Sequence, residues 1–149
     1  MPKCIILIGP PCSGKSSWVE DNPQQYHVVV SCDNIRDTIG GKKYKHTRQN
    51  ENKVWEVFYK TLDIACRCGV NVIIDNTNTK RMYINKIKER LPDYEFEYVW
   101  FDQPFWKLRM RNWLRYLRTG KWIPMQILRN MHNNYLNLKE CFEDQKFST

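Results

Sequence analysis

The chain has 149 residues, 42% of them hydrophobic and 13% aromatic, and a formal net charge of +8. That length suits a single domain over residues 1–149 with one substantial core, and the composition excludes a disordered chain. No apolar run approaches the roughly 20 residues of a membrane span, and Met1-Pro2-Lys3 leads straight into an apolar run, so no anchor and no secretory or transit leader is expected.

In chain order, Cys4–Ile8 predicts a first strand, and Gly9-Pro10-Pro11-Cys12-Ser13-Gly14-Lys15-Ser16 follows it. The octet fits the phosphate-binding loop G-x-x-x-x-G-K-[ST], in the strand–loop–helix context that loop needs. Its glycines let the backbone curl so that successive N–H groups converge on an anion. The helix that follows points its positive end at the same place. Gly9, Pro10, Pro11, Cys12, Ser13, Gly14, Lys15, Ser16 and Ser17 are therefore candidate nucleotide-binding residues. Lys15 would reach the β- and γ-phosphates of ATP or another nucleoside triphosphate, and the Ser16 hydroxyl would take a place on Mg²⁺.

The first helix is expected over Lys15–Asp21, stopped by Asn22-Pro23. His27–Ser31 predicts a second strand, and Asn34–Ile39 a short helix ended by Gly40-Gly41. A long helix over Gln49–Cys68 sets Val54, Val57, Phe58, Leu62 and Ala65 on one face and stops at Gly69. Asn71–Ile74 is a third strand, Lys80–Arg90 a helix before Pro92, and Glu95–Phe101 a fourth strand. Two basic helices, Phe105–Arg118 and Pro124–Tyr135, are joined by Thr119-Gly120-Lys121-Trp122-Ile123, and the polar tail after Leu138 is expected to fray. The alternation of strand and helix gives an α/β fold, a parallel sheet with helices on both faces. The basic pair over residues 105–135 reads as a lid.

Ligands of open α/β sheets gather outside the carboxyl ends of the strands. Three such ends carry polar residues here and should face one cleft: the phosphate loop, the Asp33–Arg36 segment and Asp75-Asn76-Thr77-Asn78. Asp33, at the tip of a strand expected beside the phosphate-loop strand, is a candidate base for an attacking hydroxyl. A plain helix N-cap would account for the same aspartate. Arg36 could grip a substrate phosphate through its guanidinium fork, or be a solvated surface arginine. Asp75 ends an apolar strand in the Walker B manner and is a candidate Mg²⁺ holder. Asn76, Thr77 and Asn78 are candidate substrate contacts, although a strand-end turn uses the same residue types.

Charge is concentrated in the lid. No carboxylate occurs between Asp102 and Glu140, where Lys107, Arg109, Arg111, Arg115, Arg118 and Lys121 alternate with Trp106, Trp113, Tyr116 and Trp122. A second basic cluster, Lys42, Lys43, Lys45 and Arg48, follows Gly40-Gly41. Such fields capture polyanions, nucleic acid above all, although a lid over ATP alone would use two or three of these arginines. Arg111 and Arg115 share a helix face, and Arg118 lies nearer the Gly120 turn. An arginine over the β–γ bridge would stabilise charge on the moving phosphoryl group. The six cysteines suggest neither a disulfide framework nor a zinc site, and they read as reduced thiols of a cytosolic protein.

With these residues assembled, the chain from Lys3 to about Leu138 resembles the P-loop kinase domain of polynucleotide 5′-hydroxyl kinases of the phage and viral type. The resemblance rests on the phosphate loop, Asp33 with Arg36, the Asp75-Asn76-Thr77-Asn78 box, Arg111-Asn112, Pro124, Arg129-Asn130-Met131 and Tyr135. It implies that ATP phosphorylates the 5′-hydroxyl end of DNA or RNA. Asp33 would be the base, and Arg36 would hold the phosphate beside the acceptor nucleoside. Arg111 would lie near the nucleobase, and Arg115 or Arg118 on the transferring phosphate, with Arg115 favoured by its helical spacing. The lid turn looks longer than in much of that family, and residues 1–149 leave no room for an accompanying phosphatase or ligase domain, so separate chains would supply those steps. A cytoplasmic site is expected, or the host cytoplasm or nucleus for a viral protein. Two other readings use the same residues: a kinase for a nucleoside, nucleotide or sugar-linked acceptor, and a non-catalytic nucleotide-sensing module that binds nucleic acid.

Overall fold

Runs of Ile and Val with Gly, Pro or Asp at their ends form the strands. The computed structural model describes residues 1–23 and 28–147. The strands are β1 (Lys3–Ile8), β2 (Val28–Val30), β3 (Val72–Ile74) and β4 (Glu95–Trp100), and the helices are α1 (Lys15–Asp21), α2 (Cys32–Gly40), α3 (Arg48–Cys68), α4 (Arg81–Arg90), α5 (Phe105–Thr119) and α6 (Met125–Phe147). All strand pairs are parallel, in the order β2-β3-β1-β4, with Ile5 opposite both Ile73 and Glu97. This is a parallel sheet with helices on both faces.

Alternation along each strand splits the core in two. Cys4, Ile6 and Ile8 face one side, against Phe58 and Leu62 of α3, Ile84 of α4 and Tyr135 of α6. Ile5, Leu7 and Ile73 face the other, against Trp18 and Val19 of α1. Phe58 and Leu62 are fully buried, and each such side chain contributes roughly 1.5–3 kcal/mol. Gly69 ends α3 at φ +64°, its N–H donating to the carbonyls of Ala65 and Cys66.

Several boundaries and one neighbour relation differ from expectation. β2 does not lie beside β1, because β3 is inserted between them. Asp75 therefore ends the strand next to the phosphate loop, and Asp33 follows the strand beyond it. α2 begins at Cys32 rather than Asn34, and its N-cap is Ser31, whose hydroxyl accepts from Asn34 N at 3.3 Å. Asp33 is thus a first-turn residue and not the cap. His27, expected to open β2, lies outside the described residues. The tail does not fray after Leu138: α6 continues to Phe147. The physical reason is Phe142, seven residues beyond Tyr135 on the same helix face, whose ring packs at 5.4 Å from Tyr98 and 5.2 Å from Trp100.

Candidate active site

β1 delivers the chain to Gly9, where packing leaves no room for a side chain. A Cβ there would lie 2.6 Å from Ser13 Oγ and 2.8 Å from Phe101 Cβ. The Gly9 N–H donates to the Thr77 carbonyl at 3.0 Å, tying the loop to the end of β3. Cys12 (φ +67°) and Gly14 (φ +102°) both take left-handed backbone and give the loop its curl. Gly14 caps α1, so the positive helix end opens into the curl.

The Lys15 ammonium lies inside that curl. It donates to the carbonyls of Gly9 at 3.0 Å and Pro10 at 2.8 Å. Burial lowers its pKa to about 8, the carboxylates of Asp75 and Asp33 oppose the shift, and the Arg115 charge adds to it. Ser16 Oγ donates to Asp75 Oδ2 at 3.1 Å, so the hydroxyl of the loop and the carboxylate of β3 form one oxygen pair. Burial raises the Asp75 pKa, against the pull of Lys15 and Ser16.

Across from this pair, Asp33 stands on the first turn of α2 with its carboxylate largely open to solvent. Its charge acts on both Lys15 and Asp75, so the three groups share one electrostatic neighbourhood. Arg36 Nη1 donates to Asp33 Oδ1 at 2.8 Å. The rest of the Arg36 fork is held by Glu51 of α3, Nε to Oε1 at 3.2 Å and Nη2 to Oε2 at 2.9 Å. The Glu51 carboxylate is shared with His46 Nδ1 at 2.9 Å. Burial works against the Arg36 charge, but Glu51 and Asp33 outweigh it and raise its pKa. Arg36 is therefore not a solvated surface arginine. Glu51 was not singled out from the sequence; its only signal there is a carboxylate in the first turn of a long helix.

The polar box after β3 largely braces the site. Asn76 Oδ1 accepts from Cys32 N at 2.8 Å and fixes the start of α2. Asn78, 3% exposed, donates from Nδ2 to Leu7 O at 2.7 Å and steadies β1. Both side chains thus hold the frame of the site, and Asn76 Nδ2 also donates to Cys32 Sγ at 3.5 Å. Thr77 contributes its carbonyl to Gly9.

From above, Arg111 Nη1 of α5 donates to the Cys12 carbonyl at 3.1 Å, docking the lid on the phosphate loop. Arg115, one turn on, is the lid arginine whose charge reaches Lys15. Arg118 stands apart, in a groove with Asp37, Gly41 and Lys42. Asn112, fully buried between these arginines, pins the lid turn: Nδ2 donates to Ile123 O at 2.8 Å and Oδ1 accepts from Ile123 N at 3.2 Å.

The family model described as an AAA domain matches residues 4–138. The chain belongs to the AAA domain family. Among solved structures, a chain of the Pnkp1/Rnl/Hen1 RNA repair complex is 26% identical with a TM-score of 0.83; the match covers 93% of this chain and 45% of that one. The chain thus spans less than half the length of that relative. A gluconokinase from Sinorhizobium meliloti 1021 is 23% identical with a TM-score of 0.58 over 89% of this chain and 74% of that one. The Mycobacterium tuberculosis APS kinase CysC, in complex with AMPPNP and APS, is 17% identical with a TM-score of 0.54 over 80% and 75%. The last two show the fold alone. The kinase-type P-loop fold of this AAA domain implies nucleotide binding. Among the described residues, no helix is long and apolar enough to cross a membrane.

Proposed function

We propose that this AAA domain transfers the γ-phosphate of ATP to a 5′-hydroxyl end of DNA or RNA, within nucleic-acid end repair. The observation that carries the reading is the Asp33–Arg36–Glu51 chain facing Lys15 and Asp75. A sensor needs no carboxylate across from its phosphate loop, and none held in register by an arginine. The 26% identity to a chain of an RNA repair complex supports the substrate class, and separate phosphatase or ligase chains would complete the repair.

In this mechanism the Asp33 carboxylate takes the proton of the 5′-hydroxyl as that oxygen attacks the γ-phosphorus in line, and ADP leaves. Arg36, fixed by Glu51, orients the acceptor through the phosphate beside its terminal nucleoside. Lys15 and Arg115 offset the charge that moves onto the β–γ bridge. The Ser16–Asp75 oxygen pair fits Mg²⁺, a hard cation that takes one or two protein oxygens and fills its shell with phosphate and water. When bound, the ion would neutralise the phosphate oxygens.

Labelled phosphate transfer from γ-labelled ATP, offered to a 5′-hydroxyl oligonucleotide and to mononucleosides, tests the reading. The oligonucleotide is expected to take label. Asp33→Asn is expected to keep ATP binding and lower turnover by about 10²–10⁴-fold. Label on mononucleosides alone would transfer the assignment to a small-acceptor kinase. Transfer undiminished in Asp33→Asn would remove Asp33 as the base.

A further inference from the structure

Two open grooves meet at the lid turn. The first, about 440 Å³, runs between the end of α2 and the lid and is lined by Asp37, Gly41, Lys42, Arg118, Thr119 and Lys121. The second, about 360 Å³, lies on the outer face of α5 and carries Trp106, Arg109, Met110, Trp113, Trp122 and Met125. Thr119 and Lys121 line the first and Trp122 the second, so the turn is their common wall. Building on the reading above, we propose that the two form one track for the acceptor: single-stranded polynucleotide leaves Asp33 along the cationic groove and stacks its following bases on the tryptophans.

Charge selects the occupant. The first groove presents three cations against one carboxylate, and that carboxylate, Asp37, is already paired with Lys121 Nζ at 3.2 Å. A phosphate can exchange for Asp37 at Lys121, because both partners are exposed and the pair is weak. The second groove offers flat apolar faces in water: Trp106 is 63% exposed, Trp113 51% and Trp122 42%. Exposed aromatics beside an arginine, in a stretch of 37 residues (103–139) without a carboxylate, suit bases with a phosphate backbone. A second copy of this chain would bring its own +8 charge to the same surface.

Dimensions set the acceptor's length. Asp33 and Gly41 are eight residues apart along α2, about 12 Å at helical rise. Trp106 and Trp113 are seven apart on one face of α5, about 10.5 Å, or some three stacked bases at about 3.4 Å each. A lone nucleoside at Asp33 reaches neither groove. The track therefore discriminates by length where Asp33 and Arg36 cannot.

The test is tryptophan-fluorescence titration with 5′-hydroxyl oligothymidylate and oligouridylate decamers, beside inorganic polyphosphate and polyglutamate of equal charge. Both decamers are expected to bind and quench, with polyphosphate and polyglutamate giving no matching quench. Lys42→Ala with Lys121→Ala should weaken decamer binding about tenfold and make the log–log salt dependence shallower by about 1.4, two phosphates at about 0.7 each. Trp106→Ala, at a side chain that packs little, should weaken it about tenfold and remove part of the quench. Asp37→Asn should tighten binding. In the transfer assay, the ratio of kcat/KM for a decamer over a nucleoside 3′-phosphate should exceed unity by about tenfold or more and collapse in the double lysine variant. Variants that bind like the wild type, a polyglutamate that competes as well as a decamer, or a ratio near unity would overturn the track while leaving 5′-kinase activity standing. Decamer binding with the expected variant losses but no transfer to any 5′-hydroxyl would uphold the track and sink the kinase reading.

Discussion

Lys15 is the residue on which nucleotide affinity should turn with pH. Burial brings its pKa down to about 8 in the free protein, although Asp75 and Asp33 oppose the shift. A triphosphate in the loop stabilises the ammonium and raises that pKa. The sign follows from linkage: affinity is full below about 8 and falls as pH rises above it, until the bound-state pKa is passed. Calorimetry at about pH 8.5 in buffers of different ionisation enthalpy should therefore read proton uptake on binding an ATP analogue. No uptake would mean that the protonation of Lys15 does not change on binding. At Glu51 the expected effect is on the acceptor. Glu51→Gln keeps the side-chain shape but gives the Arg36 fork a neutral partner in place of its carboxylate. The 5′-hydroxyl acceptor should lose about tenfold in kcat/KM, roughly 1.4 kcal/mol, with the KM for ATP little changed. Equal losses for both substrates would make Glu51 a scaffold residue only.

Among the elements, α6 carries the clearest mechanical expectation. Its second half holds Phe142 against Tyr98 and Trp100, with the Arg81 guanidinium 4.7 Å from the Phe142 ring centre. Asp102, just past β4, is tied to the same helix by Tyr135 and Lys139. Phe142→Ala should cost about 2–3 kcal/mol in urea unfolding, below the fully buried range because the ring is half-exposed. A loss under about 0.5 kcal/mol would mean the extra turns add little. The signal for this extension was present, since Phe142 repeats the apolar spacing of Tyr135, but polar neighbours masked it. Elsewhere local spacing sufficed: the phosphate loop, the Gly69 stop and the Asp75 strand end are all written in contiguous residues. What spacing does not encode is strand order. Val28-Val29-Val30 and Val72-Ile73-Ile74 are both short buried runs, and nothing local says which lies beside β1. Glu51 was hidden for a related reason: it meets Arg36 only because α2 and α3 pack together, 15 residues apart in sequence. Asn76 and Asn78 suit both a substrate and a turn by residue type, and their bonds to Cys32 and Leu7 join parts of the chain too far apart in sequence for local spacing to show.

For the whole molecule, the phosphate loop is where the sheet, the first helix and the lid come together. β1, α1, the end of β3 and the lid all converge on Gly9–Ser16. A ligand held there should stabilise the entire fold, by about 2.7 kcal/mol at a hundred times its dissociation constant. In a chain of this size that raises the thermal midpoint by about 5–10 °C. Thermal unfolding with AMPPNP and Mg²⁺ should read this shift, and Lys15→Ala should abolish it. A shift retained in Lys15→Ala would place the nucleotide elsewhere.

The Asn112 clamp reaches further than its two hydrogen bonds. Because Asn112 fastens the turn at Ile123 to α5, Arg111 and Lys121 stand on one braced unit. One rim of that unit rests on Cys12 and the other on Asp37. A tilt at one rim would be carried to the other, so on the proposed reading the Kd of an ATP analogue should shift when an oligonucleotide is present, and a titration of each in the presence of the other reads that coupling.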